Sequence, residues 1–238
     1  MNPTQTVEAA RKDLAAANRI LFNQGVVDAF GHVSMRDPSN PAQFLLSKNM
    51  APATVTPADV LTFDLQGNLQ GGGDQKVYLE RFIHAAIYAQ HPEVNGVVHS
   101  HAKAVLPFTI VKHARLRPVC HMGGFLSGIV PNFEIRDHAG MSSDMLIRDM
   151  ALGNALASTL GNSAVVLMRG HGATATGATM KQAVFRAVYT QNNAEIQAAG
   201  MALGEVTYLT DDEALAADEA NTGQIARAWD FWQSQLQG

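Results

Sequence analysis

Apolar residues recur at spacings of three and four near the start of the chain, at Val7, Ala10, Leu14, Ala17 and Leu21, while Arg11, Lys12 and Asp13 fall off that stripe. A helix buries such a stripe, and Gly25 closes it. The period then changes. Across 31–38 polar and apolar residues alternate as in a half-buried strand, and Phe44-Leu45-Leu46-Ser47 reads as its partner, predicting an early antiparallel pair. Thr56-Pro57-Ala58-Asp59 predicts a short helical turn before Val60-Leu61-Thr62-Phe63-Asp64, and the glycines at 67 and 71–73 mark loops. From 77 to 88 the apolar positions fit a helix that carries Glu80 and runs into a buried strand at Val94, Gly96, Val97 and Val98. Segment 117–121 reads as extended, and Ser142 or Ser143 caps a predicted helix over 144–160 that Gly161 ends. Ala164 to Met168 form a second buried strand, 180–199 is helical up to Gly200, and Asp211 or Asp212 caps a last helix reaching Trp232. Strands and helices mix without a strict βαβ rhythm. That favours a sheet with antiparallel pairs covered by helices, an α/β/α sandwich, over a doubly wound parallel fold.

Composition narrows the picture. The chain has 238 residues and no Pro/Ser/Gly-rich linker, which predicts one domain over 1–238. Its 17 basic and 21 acidic residues are interspersed, giving a net charge of −4, and no basic stripe with interleaved aromatics is present. Nucleic acid is therefore not the expected partner, and a small molecule is. Cys120 is the one cysteine, residues 1–6 lack a basic region followed by an apolar stretch, and no apolar run approaches a membrane span. These features predict a cytoplasmic protein without disulfides or membrane attachment. The triple glycine lacks the strand-to-helix context and the lysine of a nucleotide cradle.

The chemistry-bearing residues are histidines. His99 and His101 end an apolar strand two residues apart, so both imidazoles project to the same side and can reach one metal ion. A lone His-x-His is more often a pair of satisfied polar residues, but here it has company. His171 follows the second apolar strand between two glycines, and Glu80 precedes His99 by nineteen residues. Three neutral imidazoles with an open position describe a catalytic metal site, and a nearby carboxylate that is not a ligand is free to move protons. Zinc suits such a site, while manganese, iron and cobalt can also occupy it. Arg169 fits either a substrate carboxylate or a structural ion pair. His32 fits a substrate contact, the orientation of a ligand, or a buried hydrogen bond. His84 lies four residues after Glu80, on the same helical face, where it would orient the carboxylate. His91, His113 and His138 read as incidental. A cupin would place a glutamate soon after the His-x-His, and 103–108 holds none. An amidohydrolase would carry the pair on the first strand of a larger barrel.

Taken together, Glu80, the His99-Ser100-His101 pair, His171-Gly172 and Gly31-His32-Val33-Ser34 resemble the class II aldolase/adducin family from the first helix to about Tyr208. The resemblance implies a three-layer α/β/α sandwich around a largely antiparallel sheet, usually a homotetramer. It also implies one divalent metal per subunit on His99, His101 and His171, with Glu80 as the acid/base residue. The family's sugar-phosphate enzymes hold phosphate with small donors, whereas this chain has Gly31-His32, Ser47-Lys48-Asn49 and Tyr78-Leu79 in those places. A phosphorylated sugar is disfavoured. Ser47 and His32 then become candidate substrate contacts alongside Arg169. Where the aldolases carry a tyrosine proton donor contributed across a subunit interface, this chain has His121, a second catalytic candidate.

The runs 28–34, 78–84 and 168–173 are most similar to the decarboxylase branch of that family, whose members act on 3,4-dihydroxyphthalate and 3-hydroxy-2-methylpyridine-4,5-dicarboxylate. The implied reaction is loss of CO2 from a hydroxylated aromatic, or ring-opened dienoate, carboxylate. A metal stabilises the developing charge in that reaction as it does in an aldol cleavage. The alternatives are a retro-aldol lyase acting on a non-phosphorylated hydroxy-acid, with zinc or manganese as the metal in either case, and a non-catalytic adducin-like interaction module.

Overall fold

The computed structural model describes residues 6–237, so the expectation resting on the first five residues lies outside the described residues. Helix α1 (Val7–Asn23) opens on Thr6, whose hydroxyl accepts from the Ala9 amide at 3.2 Å, and it buries the predicted stripe from Ala10 to Leu21. Strands β1 (His32–Asp37) and β2 (Asn40–Ser47) pair antiparallel as expected, and β3 (Val60–Asp64) flanks β2. Helix α2 (Arg81–Gln90) leads into β4 (Gly96–Ser100), which pairs with β1. The chain then passes through α3 (Leu106–Ile110), β5 (Asn132–Phe133), α4 (Arg136–Ala139) and α5 (Met150–Leu160). A hairpin of β6 (Val165–Met168) and β7 (Gly172–Gly177) follows, with β7 closing on β4. Helices α6 (Met180–Leu203), α7 (Asp211–Thr222) and α8 (Ile225–Ser234) complete the described chain. The seven strands run in the order β3-β2-β1-β4-β7-β6-β5, and β5–β6 is the parallel pair among them.

Alternation along the strands creates two separate apolar layers. Val33, Met35, Leu45, Val98, Val165 and Leu167 pack with α1, α6 and α8, whereas Phe44, Leu46, Val97, Val166 and Met168 pack with α2 and α5. Burying each such side chain contributes roughly 1.5–3 kcal/mol, so a one-residue slip in register would forfeit both layers at once. The result is the expected α/β/α sandwich. No helix among the described residues is long and apolar enough to cross a membrane.

Four elements differ from their sequence-based outlines. Helix α2 starts at Arg81 with Glu80 at its cap position, because Tyr78 turns inward and donates to the Met50 carbonyl at 2.6 Å instead of joining a helical turn. The predicted helix over 144–160 begins only at Met150, capped by Asp149. Upstream of it, the Met145 carbonyl and Ile147 amide serve side chains elsewhere, and Met145 adopts φ 69°. Helix α6 continues through Gly200 to Leu203. The last predicted helix is two, broken at Gly223, and Thr210 with Glu213 forms its capping box rather than either aspartate.

Candidate metal centre

The sheet register brings the histidines together. His32 stands opposite His99, and His99 opposite Thr174, so these side chains share the face covered by α2. His101 follows β4 with the same projection. His171 lies in the β6–β7 turn, and a Cβ on its neighbour Gly172 would sit 2.0 Å from the Ser100 carbonyl oxygen. Only glycine lets that turn approach β4 closely enough to add the third imidazole.

The ring nitrogens converge. His101 Nε2 lies 3.1 Å from His99 Nε2 and 3.0 Å from His171 Nε2. The outer nitrogens explain this orientation. His171 Nδ1 donates to the Met145 carbonyl at 2.9 Å, and His99 Nδ1 donates to Thr174 Oγ1 at 3.4 Å, the threonine's own proton going to the Met168 sulfur. With those protons committed outward, the Nε2 lone pairs of His99 and His171 point inward. Lone pairs so placed repel unless a cation sits among them, and bonds of about 2.0–2.1 Å in a tetrahedral site set ligand nitrogens about 3.3 Å apart. The donor set therefore fits a divalent metal.

Glu80 completes the cluster. Its Oε1 accepts from the Ile147 amide at 3.0 Å, while Oε2 lies 3.6 Å from His99 Nε2 and 3.5 Å from His171 Nε2, beyond hydrogen-bond range. The four ligand atoms lie within 4.8 Å of one another. Burial, reinforced by the neighbouring imidazoles, pushes the His99 and His101 rings below the ordinary histidine range. Burial acts on His171 in the same sense, but the Glu80 carboxylate and the Met145 carbonyl outweigh it and leave that ring raised.

The other candidates are placed differently. His32 is buried against the cluster, its ring centroid 5.0 Å from that of His99 and 4.6 Å from that of Tyr78. Ser47 is fully buried with its Oγ 3.4 Å from Tyr78 Oη, so it supports Tyr78 rather than lining a cleft. Arg169 Nε forms an ion pair with Glu134 at 2.6 Å. That carboxylate is held down to about 2 by its Arg136 and Arg169 partners. His121 is exposed at the start of a 3-10 turn, beside Leu209, Glu213 and Ala217, and no contact joins it to Glu80. The extended segment expected there ends before it. His84 does not orient Glu80. It faces the sheet and bonds to His32 and Ser34, because helix α2 turns that position towards β1.

A cleft of about 380 Å³ opens beside His101, flanked by Asp28, Phe30 and Lys103. A wider one of about 730 Å³ lies at the other end of the strands, near Gly177 and Ala164. Convergent ligand atoms, not volume, single out the first as the candidate functional end. Sequence reasoning missed Thr174, the Met145 carbonyl and the Ile147 amide. Two are backbone groups without a side-chain signature, and the third depends on strand register.

Comparison with known proteins agrees with this geometry. The class II aldolase and adducin N-terminal domain family matches residues 12–198. Decarboxylase tropJ of Talaromyces stipitatus is 36% identical over 241 residues, covering 92% of this chain and 90% of its own. A 3,4-dihydroxyphthalate decarboxylase of Arthrobacter keyseri is 28% identical, covering 94% and 92%. Among solved structures, L-fuculose 1-phosphate aldolase from Glaciozyma antarctica superposes with a TM-score of 0.78 at 22% identity, covering 97% of this chain and 92% of that one. The fold, the convergent histidines beside Glu80 and the extent of the match place this chain in the class II aldolase and adducin family.

Proposed function

We propose that the protein is a metal-dependent carbon–carbon lyase that decarboxylates a hydroxylated aromatic, or ring-opened dienoate, carboxylate. The observation that carries the proposal is the convergence of three Nε2 atoms beside Glu80 Oε2, supported by the 36% identity to a decarboxylase. A divalent cation on His99, His101 and His171, zinc or manganese, supplies the electron sink for the charge left when CO2 departs.

The chain's own residues do the rest. The carbon–carbon bond to the carboxyl group breaks, CO2 leaves with neither electron of that bond, and the ring carbon takes a proton in its place. Glu80 is built to deliver that proton: the Ile147 amide fixes one oxygen and leaves the other facing the cluster. Tyr78, its ring tilted against that of His32, fills space where a phosphate would need small donors, which supports an unphosphorylated substrate. His121, remote from Glu80 within one chain, acts in a neighbouring copy of a homotetramer. The whole of 1–238 works as one catalytic unit in the cytoplasm, where the free thiol of Cys120 is at home. An adducin-like interaction module has no use for four converging ligand atoms.

The test is a panel of hydroxylated aromatic dicarboxylates and unphosphorylated hydroxy-acids given to metal-loaded protein, with CO2 and carbonyl products scored separately. CO2 release from the aromatic acids is expected. Carbonyl product from the hydroxy-acids without CO2 from any compound would replace the proposal with a retro-aldol cleavage.

A further inference from the structure

Behind the metal cluster runs a file of buried polar groups that no step above uses. Tyr88 Oη lies 2.8 Å from Ser34 Oγ, Ser34 Oγ 2.6 Å from His84 Nδ1, and His84 Nε2 2.6 Å from His32 Nδ1. All four side chains are buried. Each link joins two groups that can both donate and accept, so the direction must be found from the ends.

The Tyr88 end is decided first. A buried phenol must donate its proton, and among the described residues the acceptor at hydrogen-bond distance is Ser34 Oγ. Ser34 therefore donates onward to His84 Nδ1. Burial holds His84 down to about 3, so it is neutral and carries a single ring proton. That proton is on Nε2 and goes to His32 Nδ1, which leaves the His32 proton on its own Nε2. This atom has no protein partner among the described residues, yet it is absent from the polar atoms sealed without one. It therefore opens onto solvent-reachable space beside His99.

We infer that Tyr88, Ser34 and His84 are positioning residues that fix His32 as a hydrogen-bond donor aimed beside the metal ligands, where it binds an oxygen acceptor, a carboxylate of the substrate. The substrate half of this inference rests on the decarboxylase proposal; the tautomer half does not. A site that donates here selects molecules bearing an oxygen acceptor at that point. One without it leaves the His32 N–H unpaired and binds roughly 10- to 100-fold more weakly.

Nitrogen chemical shifts read the tautomer directly. In 15N-labelled, zinc-loaded protein, long-range 1H–15N correlation spectra, with His32→Asn as the assignment control, should show a protonated Nε2 and a bare Nδ1 on His32. The reversed pattern, a bare Nε2, would overturn the inference whatever the CO2 panel gives. Ser34→Ala cuts the file, and in that variant His32 should show both tautomers while zinc content stays at the wild-type level. Phthalate, used as a dicarboxylate probe in calorimetry, should then bind about tenfold more weakly. Unchanged phthalate affinity alongside mixed tautomers would remove the substrate half and leave the donor file standing.

Discussion

On the side of the sheet covered by α1, α6 and α8, β1 contributes Val33 and Met35, and β4 contributes Val98. On the side covered by α2 and α5, β1 contributes His32, Ser34 and Arg36, and β4 contributes Val97 and His99. On the first side β1 presents apolar side chains, and the buried polar anchors come from the helices, as where Asn193 and Gln197 of α6 bond the backbone at Arg117, Val119 and Arg115. The second buries polar groups, and each has partners: Arg36 donates to the carbonyls of Pro41, Tyr88, His91 and Val94, and the serine and histidines bond to one another. Adjacent residues on one strand thus meet separate surroundings, an apolar layer on one parity and a polar network beside the candidate metal centre on the other. A substitution's consequence should follow from the parity of its position.

The largest separation should come from Leu45→Ala on the apolar side. It removes a fully buried side chain and should cost about 2–5 kcal/mol of unfolding free energy in urea melts. Metal content should stay at one ion per chain, and loss of the metal would show that the two faces are not independent.

Acid should act through the polar side. An unfolded histidine titrates near 6.5, whereas burial puts His84 at about 3. On acidification the unfolded chain takes up its proton first. The stability held by neutral His84 is complete above about pH 6.5 and drains away as the pH falls towards 3. Between pH 7.5 and 5 the His84 share comes to about 2 kcal/mol. His84→Gln should therefore lose less stability than wild type over that interval, and equal losses would argue against a neutral buried ring.

A smaller effect is expected at Thr174→Val, which keeps the side chain's shape but takes away the acceptor for His99 Nδ1. Metal affinity measured against a competing chelator should fall roughly 10- to 100-fold, with little change in folding stability. A large stability loss with unchanged affinity would reverse the roles assigned to the two faces.

How much of this was legible depended on distance along the chain. His99 and His101 project together because of a local period, so their pairing could be read directly. The first helix, the early hairpin and the short turn at 57–59 were legible for the same reason. His171 and Glu80 could be proposed from the strand and helix that carry them, but seventy residues lie between His101 and His171, and their roles as third ligand and acid/base came from the family resemblance. Met145 and Ile147 look helical by composition, yet their backbone groups hold His171 and Glu80, and tertiary demand overrode propensity. His84 was placed on the correct helix with the wrong partner, because helical spacing names the residues sharing a face but not the strand that face meets.

The most direct test measures metal content and turnover on the same samples of wild type and Glu80→Gln, using whichever aromatic acid of the panel releases CO2 fastest. Wild type should hold one divalent ion per chain. Glu80→Gln should hold the same ion while turnover falls by about 10²- to 10⁴-fold. A wild-type protein that turns over without metal, or a Glu80→Gln variant that keeps full activity, would contradict a centre in which three imidazoles grip the cation and the carboxylate moves the proton.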